Sequence, residues 1–275
     1  MGHSEAADQP ARVMLVGCGR VGTRLGRRLL AAGREVVALR RDTSSLPAEF
    51  TGIAVDLTEP PGRELPAADA MVITLTPSMG GDPDGYLVAL RNLAAALPSV
   101  PPRVIFVSST GVFEGRYAGR PLTEADVPAP TTPRGILLRG GELLATELFD
   151  ALIIRPAGIY GPGREMILRK VLERSPIRHA QRTNRIHEVD LVRTLEWLLT
   201  AGDPPRVLHA VDRAPAPLGE VAGFVAQHLG LPAPPEATSG EAGGTVLDGS
   251  LLHGLLGGLR YPTFREGYAE IIADR

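Results

Sequence analysis

Short runs of apolar residues recur along the first half of the chain, with polar or helix-periodic stretches between them. In the first interval Val21, Leu25 and Leu29 repeat every four residues, which predicts a helix ending at Gly33. Residues 86–97 predict a second helix. The apolar runs predict strands at 13–16, 35–39, 53–55, 70–75 and 104–107. This alternation predicts an α/β fold with a doubly wound parallel sheet.

A glycine motif joins the first predicted strand to the first predicted helix. Gly17, Gly19 and Gly22 fit G-x-G-x-x-G, and the strand before them and the helix after them make the motif informative. The free N–H groups at the start of the helix, from Arg20, Val21 and Gly22, are suited to a pyrophosphate. We therefore predict a dinucleotide site. The alternative is a glycine-rich turn in another α/β fold.

The end of the second predicted strand bears on which dinucleotide binds. An NAD site usually has an acidic residue there, but this chain has Arg40 and Arg41. A guanidinium binds a 2′-phosphate through charged hydrogen bonds, whereas a carboxylate repels it. We predict NADP rather than NAD, with Arg20 as an additional contact. The alternative is that these arginines are solvated surface charge.

Two further strand ends supply candidate cofactor contacts. Asp56 and Leu57 follow the third predicted strand, where such sites often flank the adenine; a simple turn is the alternative. Leu75 and Thr76 end the fourth. Ligands of open α/β sheets lie at the carboxyl ends of the strands, so we expect both residues to line the cofactor channel.

Composition narrows the class of protein. The chain has 275 residues, a formal net charge of −2 and 44% hydrophobic residues, so neither nucleic acid nor a membrane is an expected partner. The one cysteine, Cys18, excludes an internal disulfide and favours a reducing, cytoplasmic location. Residues 1–10 are polar and lack a signal-peptide core. No cluster has metal-ligand spacing, so we expect no metal.

Four motifs in the remainder resemble one superfamily. They are SSTGVFEG at 108–115, LIIRPAGIYGPG at 152–163, RIHEVD at 185–190 and YPTFREG at 261–267. Their order is similar to that of short-chain dehydrogenases/reductases of the extended or atypical type, related to NAD-dependent epimerases and dehydratases. The resemblance implies a Rossmann domain over 1–160, with 186–212 returning to it. A smaller, mostly helical substrate-binding region is expected over 161–275.

The resemblance fails where the acid–base residues should be. The superfamily usually carries Y-x-x-x-K on the helix after the fifth strand, but the one lysine here is Lys170, with Met166 four residues before it. Aligning that helix on Gly135 and Glu142 places Arg134 at the tyrosine position and Leu138 at the lysine position. Arg134 remains a catalytic candidate by position, although arginine stays protonated and is a poor acid.

Other matching positions are candidates through the resemblance alone. Ser109 matches the serine that hydrogen-bonds a substrate carbonyl, and Thr110 adjoins it as a substrate contact. A strand-end cap is the alternative for both residues. Pro156 and Ala157 match the loop beside the nicotinamide ring.

Three aromatic or titratable residues complete the predicted site. Tyr160 matches a loop tyrosine that is mostly structural in the family. It is a catalytic candidate only if a partner shifts its pKa from about 10. Histidine as a residue type has an ordinary pKa near neutrality, which makes His187 a candidate substrate contact, although such a histidine more often hydrogen-bonds at the start of a helix. Tyr117 lies in a glycine-rich lid, 115–119, that can close over a ligand, although loops of this kind usually just cover the site.

Gly140 and Gly141 lie inside the helix predicted over 135–149, where each costs roughly 1 kcal/mol relative to alanine. Either the helix breaks there or another backbone approaches closely. In the resembled family this helix often joins a four-helix dimer interface, so we favour close approach in a homodimer.

These observations leave three functions open. The first is an NADP(H)-dependent reductase that acts on a small-molecule carbonyl or imine held by Ser109. A protonated iminium suits a site without the tyrosine, because no oxyanion has to be protonated. The second is a non-redox protein that keeps the dinucleotide as a sensing or structural ligand. The third is an isomerase or cyclase that uses the pocket without hydride transfer.

Overall fold

The structure is a computed structural model that describes residues 10–77, 84–114, 119–237 and 243–275. Strands and helices alternate along most of the chain, as the hydrophobic pattern predicts. The strands are β1 (Arg12–Val16), β2 (Glu35–Arg40), β3 (Thr51–Ala54), β4 (Ala70–Ile73), β5 (Arg103–Val107), β6 (Leu152–Pro156), β7 (Gly158–Tyr160), β8 (Arg182–Thr183), β9 (Arg185–His187), β10 (Val207–Ala210) and β11 (Ala216–Pro217). The helices are α1 (Arg20–Ala31), α2 (Gly85–Ala96), α3 (Pro133–Phe149), α4 (Met166–Leu172), α5 (Glu188–Thr200), α6 (Leu218–His228), α7 (Ser250–Leu255) and α8 (Phe264–Ala273).

Seven strands form a central parallel sheet in the order β10-β6-β5-β4-β1-β2-β3. The strand order reverses at β1, which pairs in parallel with both β2 and β4. At the carboxyl end of β1, Val16 lies opposite Leu39 on one side and Ile73 on the other. This is the topological switch point at which ligands of doubly wound sheets bind. The predicted fold class is therefore confirmed.

Both faces of the sheet are covered, because side chains of a strand alternate between its faces. Met14 and Val16 of β1 belong to a core cluster with α2 and α3. Leu15 points to the opposite face, where α1 packs closely: a Cβ added at Gly26 would lie 3.1 Å from Leu15 Cδ1. The third predicted strand is displaced by two residues at its start, since β3 begins at Thr51 rather than at Ile53.

Helix α3 runs unbroken through its two glycines. A Cβ added at Gly141 would lie 2.5 Å from the Tyr86 ring of α2, whereas one at Gly140 would make ordinary 3.7 Å contacts with Leu87. The close approach that we expected at Gly141 is therefore made by a side chain of the same chain. It provides no argument for a dimer.

The chain divides into two compact units. The first comprises 1–112, 131–155 and 192–207, and the second comprises 113–130, 156–191 and 208–275. The predicted Rossmann domain over 1–160, with 186–212 returning to it, stays a prediction. The second unit has its own apolar core, to which α4, α6 and α8 contribute. It also contains two small sheets, β7 with β9 and β8 with β11.

Candidate functional site

The glycine loop leaves β1 through a left-handed residue. Gly17 has φ +74°, and a Cβ there would lie 3.0 Å from Leu75 Cδ2. Gly19 is the N-cap of α1 and has extended backbone; a Cβ there would meet only Gly17 O, at 3.7 Å. A Cβ at Gly22 would lie 3.2 Å from Cys18 Sγ. Among the described residues, an added Cβ is therefore accommodated without crowding at Gly19 but not at Gly17 or Gly22.

The loop is held by the neighbouring strand ends. The Gly17 N–H donates to Leu39 O at 3.0 Å, from β2. The Thr74 hydroxyl, just past β4, donates to Gly17 O at 2.8 Å and to Val16 O at 3.1 Å. Thr74 is not among the residues predicted from the sequence, although a hydroxyl directly after an apolar strand beside a glycine loop is a usable signal. The loop is thus preorganised by its own unit.

The start of α1 is suited to an anion. Its N-cap Gly19 has no side chain to accept from the first N–H groups, and its first turn contains no acidic residue. Val21 and Gly22 are buried against the loop, while Arg20 is exposed. The helix dipole and the N–H groups therefore favour negative charge at this position. These residues fit the pyrophosphate of a dinucleotide.

Cys18 is an unreactive member of this loop. Its side chain is fully buried, and its sulfur lies 3.9 Å from the Thr23 hydroxyl. Burial raises the pKa of the thiol. A protonated, buried thiol is a packing group rather than a nucleophile.

The two arginines at the end of β2 differ in exposure and in hydrogen bonding. Arg40, half-buried at the end of β2, donates from Nη1 to Cys18 O at 3.3 Å. Arg41 is exposed. Asp42, next along the chain, accepts from Ser44 N at 2.9 Å, and the hydrogen bonds from Ser44 lower its pKa. Arg40 is therefore the cation that the fold fixes beside the loop.

The remaining predicted contacts of the first unit are of two kinds. Asp56 is exposed and accepts from Thr58 N and Oγ1 at 3.0 and 2.7 Å, which lowers its pKa. Thr76 is also exposed. Leu57 and Leu75 are buried in the core cluster, so their side chains support the strand ends from beneath. Asp56 forms the turn that was its alternative interpretation, and its exposure leaves it accessible to a ligand.

Ser109 follows β5 and is half-buried. Its hydroxyl oxygen accepts from Gly111 N at 3.1 Å, which leaves its hydrogen to donate elsewhere. Thr110 begins a 3-10 turn, Thr110–Phe113. The serine therefore makes the strand-end contact that was its alternative interpretation, and it keeps a donor suited to a carbonyl oxygen.

The first turns of α3 contain no acid–base pair. Thr132 caps the helix by accepting from Gly135 N at 3.0 Å. Arg134 is exposed in the first turn, and Leu138 is buried. The nearby Tyr86 hydroxyl is buried, which raises its pKa above the ordinary value. None of these side chains reproduces a tyrosine whose pKa is lowered by a lysine.

A buried carboxylate stands one turn further along α3. Glu142 accepts from Arg155 Nε and Nη2 of β6, at 2.8 and 2.9 Å, and from Arg139 Nη1 at 2.8 Å. The Ser108 hydroxyl also donates to it, at 2.8 Å. Glu142 is not among the site residues predicted from the sequence. A glutamate on the apolar side of a helix, with an arginine in an apolar strand, was the available signal.

In the second unit, Tyr160 lies in the aromatic core. It is buried, its ring stacks on Tyr268 at 4.9 Å between centroids, and its hydroxyl donates to Thr263 O at 3.3 Å. Burial raises its pKa, which is opposite to what an acid working near neutrality requires. These contacts favour the structural role over the catalytic one.

His187 is buried beside Tyr160, with ring centroids 5.0 Å apart. Its Nδ1 accepts from Val189 N at 3.3 Å, at the start of α5. This contact corresponds to the helix-start alternative for His187.

Ala157, also in this unit, donates from its N–H to Ala210 O at 3.0 Å, and Pro156 ends β6. Tyr117, the predicted lid residue, lies outside the described residues.

Within the described ranges no set of three or more histidine, cysteine, aspartate or glutamate side chains is arranged to hold a metal ion. No helix there combines the length and apolarity needed to cross a bilayer.

The strand order, the left-handed Gly17 and the glycine N-cap of α1 together define a Rossmann-like α/β protein. No family model matches the chain. It is 26% identical to the dTDP-4-dehydrorhamnose reductase of Mycobacterium tuberculosis, over 75% of this chain and 71% of the relative. It is also 26% identical to the dTDP-6-deoxy-L-talose 4-dehydrogenase (NAD(P)(+)) of Kitasatospora kifunensis, over 95% of both chains.

Solved structures agree with these relatives. A protein from Methylobacillus flagellatus described as a NAD-dependent epimerase/dehydratase superposes with a TM-score of 0.82 and 29% identity, covering 96% of this chain and 98% of the other. The enzyme MoeE5, in complex with UDP-glucose and NAD, superposes with a TM-score of 0.77 at 24% identity, covering 95% and 97%. The homologues and structural neighbours are thus of the epimerase/dehydratase and dTDP-sugar reductase type, which confirms the resemblance to extended or atypical short-chain dehydrogenases/reductases.

Proposed function

We propose that the protein binds NADP(H) and reduces a carbonyl or imine of a small molecule, with sugar nucleotides as the first substrate class to test. The observation that carries the proposal is the glycine loop with Arg40 fixed beside it through Cys18 O. A guanidinium in that position favours a 2′-phosphate over a free 2′-hydroxyl.

The relatives support the oxidoreductase chemistry and suggest the substrate. Two of them are named for dTDP-sugar oxidoreduction, one with NAD(P)(+), and a structural neighbour holds UDP-glucose with NAD. Either cofactor is compatible with those names. Preference for NADP therefore rests on Arg40 and Arg41 of this chain.

The residues of the first unit have distinct roles in this proposal. The start of α1 and the open front of Gly19 hold the pyrophosphate, and NADPH when bound supplies the hydride. The Ser109 hydroxyl donates a hydrogen bond to the carbonyl oxygen of the substrate. Its own oxygen already accepts from Gly111 N, so its hydrogen is the atom left for this contact. An iminium substrate needs no further proton, whereas a carbonyl substrate takes its proton from water or from a group of the substrate.

Calorimetric titration with NADPH and then NADH tests the cofactor. We expect NADPH to bind at least about tenfold more tightly, or roughly 1.4 kcal/mol. NADPH oxidation is then followed with dTDP-4-keto sugars and cyclic imines, for the wild type, Ser109→Ala and the exposed control Ser99→Ala. Loss of turnover in Ser109→Ala alone, with NADPH binding retained, supports the proposal. Equal turnover in all three proteins rules out the serine mechanism.

A second candidate function follows from α3. The predicted alignment of α3 puts Arg134 and Leu138 where the superfamily has its tyrosine and lysine. This alignment favours a dinucleotide-binding protein without hydride transfer, or an isomerase or cyclase. Tight NADPH binding without NADPH oxidation by any substrate would select this candidate.

We also propose that the protein acts in the cytoplasm as a homodimer. Ile136 and Leu143 are exposed apolar side chains seven residues apart on α3, so they lie on one side of the helix. Light scattering of the wild type and of Leu143→Glu tests the dimer. A monomeric wild type would end this proposal.

A further inference from the structure

The Glu142 carboxylate is saturated with donors. A carboxylate has about four lone-pair positions, and here it accepts four hydrogen bonds of 2.8–2.9 Å from Ser108, Arg139 and Arg155. Glu142 and Arg155 are 1% and 2% exposed, and Arg139 is partly exposed. The donors come from three elements: the end of β5, α3 itself and β6.

Stability alone is a weak reason for such a cluster. A buried ion pair often adds little net stability over apolar packing, because desolvation offsets the Coulomb attraction. What it does provide is fixed geometry, since the paired hydrogen bonds from Arg155 hold the carboxylate plane. The role of the cluster therefore depends on which atoms this geometry holds in place.

The cluster fixes Ser108 from two directions. Its N–H donates to Ile154 O of β6 at 2.8 Å, and its hydroxyl donates to Glu142 Oε1. Ser109 is the next residue along the chain. Glu142 is therefore linked to Ser109 through the Ser108 backbone: rotation of Ser108 would rotate the Ser109 hydroxyl and strain its contact with Gly111 N.

We propose that Glu142 is a positioning residue for Ser109, acting through its hydrogen bond with the Ser108 hydroxyl. This inference rests on the proposed function and deepens it. It assigns the orientation of the Ser109 hydroxyl to a carboxylate on α3, the helix where the superfamily usually has its tyrosine and lysine. Glu142 has no contact with the substrate in this role. Arg139 and Arg155 hold the carboxylate in place.

A double-mutant cycle tests the coupling. The proteins are Ser109→Ala, Glu142→Gln, the double variant, and Glu147→Gln as an exposed control on the same helix. Turnover of NADPH with the best substrate of the screen is compared. We expect Glu142→Gln to lower kcat roughly tenfold with the Kd for NADPH within about twofold, and the double variant to be no slower than Ser109→Ala. Glu147→Gln should match the wild type.

Hydrogen exchange gives a readout that needs no substrate. In Glu142→Gln the amides of Gly111 and Val112, which bond to Ser109 Oγ and O, should exchange roughly tenfold faster, while the amide of Gly17 stays unchanged. If Glu142→Gln fails to fold, Ser108→Ala removes the same link without disturbing the Arg155–Glu142 pair, and the same coupling and exchange are expected.

The outcomes separate the two proposals. Additive effects of Ser109→Ala and Glu142→Gln, or uniform faster exchange across the first unit, would show a merely structural role for Glu142 and leave the proposed function standing. No effect of Ser109→Ala on turnover would overturn the proposed serine mechanism and this inference with it.

Discussion

The two units of the chain contain predicted site residues of opposite character. In the first unit Gly19 lies in a backbone turn, and Arg41 and Asp56 are exposed after strands, whereas Leu57 and Leu75 are buried. In the second unit Tyr160 and His187 are buried among other aromatic rings. Motifs of similar apparent quality in the sequence therefore correspond to exposed positions in one unit and to core positions in the other.

The difference arises because the motifs of the two units place their ligand-binding or reactive atoms in different parts of the residue. A glycine loop has its chemistry in the backbone, so its contacts are ready for a ligand as soon as the turn is formed. The reactive atoms of tyrosine and histidine lie at the end of the side chain. A hydroxyl or ring nitrogen that hydrogen-bonds the main chain is already occupied by that contact. Changes in the first unit should therefore alter cofactor binding, and changes in the second should alter stability.

The largest expected effect is that of Tyr160→Ala. Removing a buried aromatic ring that stacks on Tyr268 should cost about 3–5 kcal/mol of unfolding free energy, measured by urea denaturation. Tyr160→Phe removes only the hydroxyl bond to Thr263 O and should cost about 1 kcal/mol. NADPH affinity of the folded variants should stay within about twofold. A stable Tyr160→Phe without turnover would make the hydroxyl catalytic and break the comparison.

Asp212 gives the second unit a pH dependence. It is buried, its Oδ1 accepts from Ala214 N at 3.0 Å, and burial raises its pKa from 3.8 to about 6, against the opposing effect of Arg185. Because the folded state binds this proton more tightly than the unfolded chain, the stability gained is complete below about pH 4 and lost as the pH rises through 6. The stability lost over this pH range is about 3 kcal/mol.

Asp212→Asn keeps a neutral side chain at all pH values. The difference in melting temperature between this variant and the wild type should therefore move in favour of the variant as the pH rises from 4.5 to 7. The exposed Asp203→Asn serves as control and should give a difference that does not change with pH. A constant difference for Asp212→Asn as well would mean that the carboxyl is ionised throughout this range.

Gly19→Val tests the first unit. Its backbone is extended and a Cβ there has no near neighbour except Gly17 O, so valine should fold at a cost of at most about 1 kcal/mol. The added side chain fills the front of the loop, and NADPH affinity should fall at least roughly a hundredfold, or about 2.7 kcal/mol. Gly202→Val, at another open position of the same unit, should leave binding unchanged in the same titration. Wild-type affinity in Gly19→Val would place the pyrophosphate elsewhere.

Most of the fold could be predicted from sequence because it depends on local signals. Each of these elements is predicted from residues within it: the strands from their apolar runs, the turn from G-x-G-x-x-G, and α1 from its four-residue repeat. The start of β3 was placed late because Thr51 and Gly52 are exposed and give no apolar signal. The reason for Gly141 was also out of reach, since it depends on the Tyr86 ring, fifty-five positions away in the chain.

The site was less predictable because it depends on contacts between distant residues. Neither the burial of Tyr160 under Tyr268 nor the saturation of Glu142 by Arg155 and Ser108 can be read from spacing. Arg40 and Arg41 look equivalent in the sequence, and only the contact with Cys18 O distinguishes them. Predictions from a motif were reliable for backbone geometry and weak for the direction of a side chain.

Arg40→Ala should have a smaller effect than Gly19→Val, and it separates the two possible roles of Arg40. Loss of one charged hydrogen-bonding partner of a 2′-phosphate should weaken NADPH binding about tenfold and leave NADH binding within about twofold, with a difference that shrinks as salt is raised. Arg41→Ala should do less, because that side chain is exposed and screened. Arg27→Ala, on the surface of α1, should change neither affinity. Equal weakening of NADPH and NADH by Arg40→Ala would show that Arg40 serves the loop through Cys18 O and not the phosphate, and the preference for NADP would then lose its structural basis.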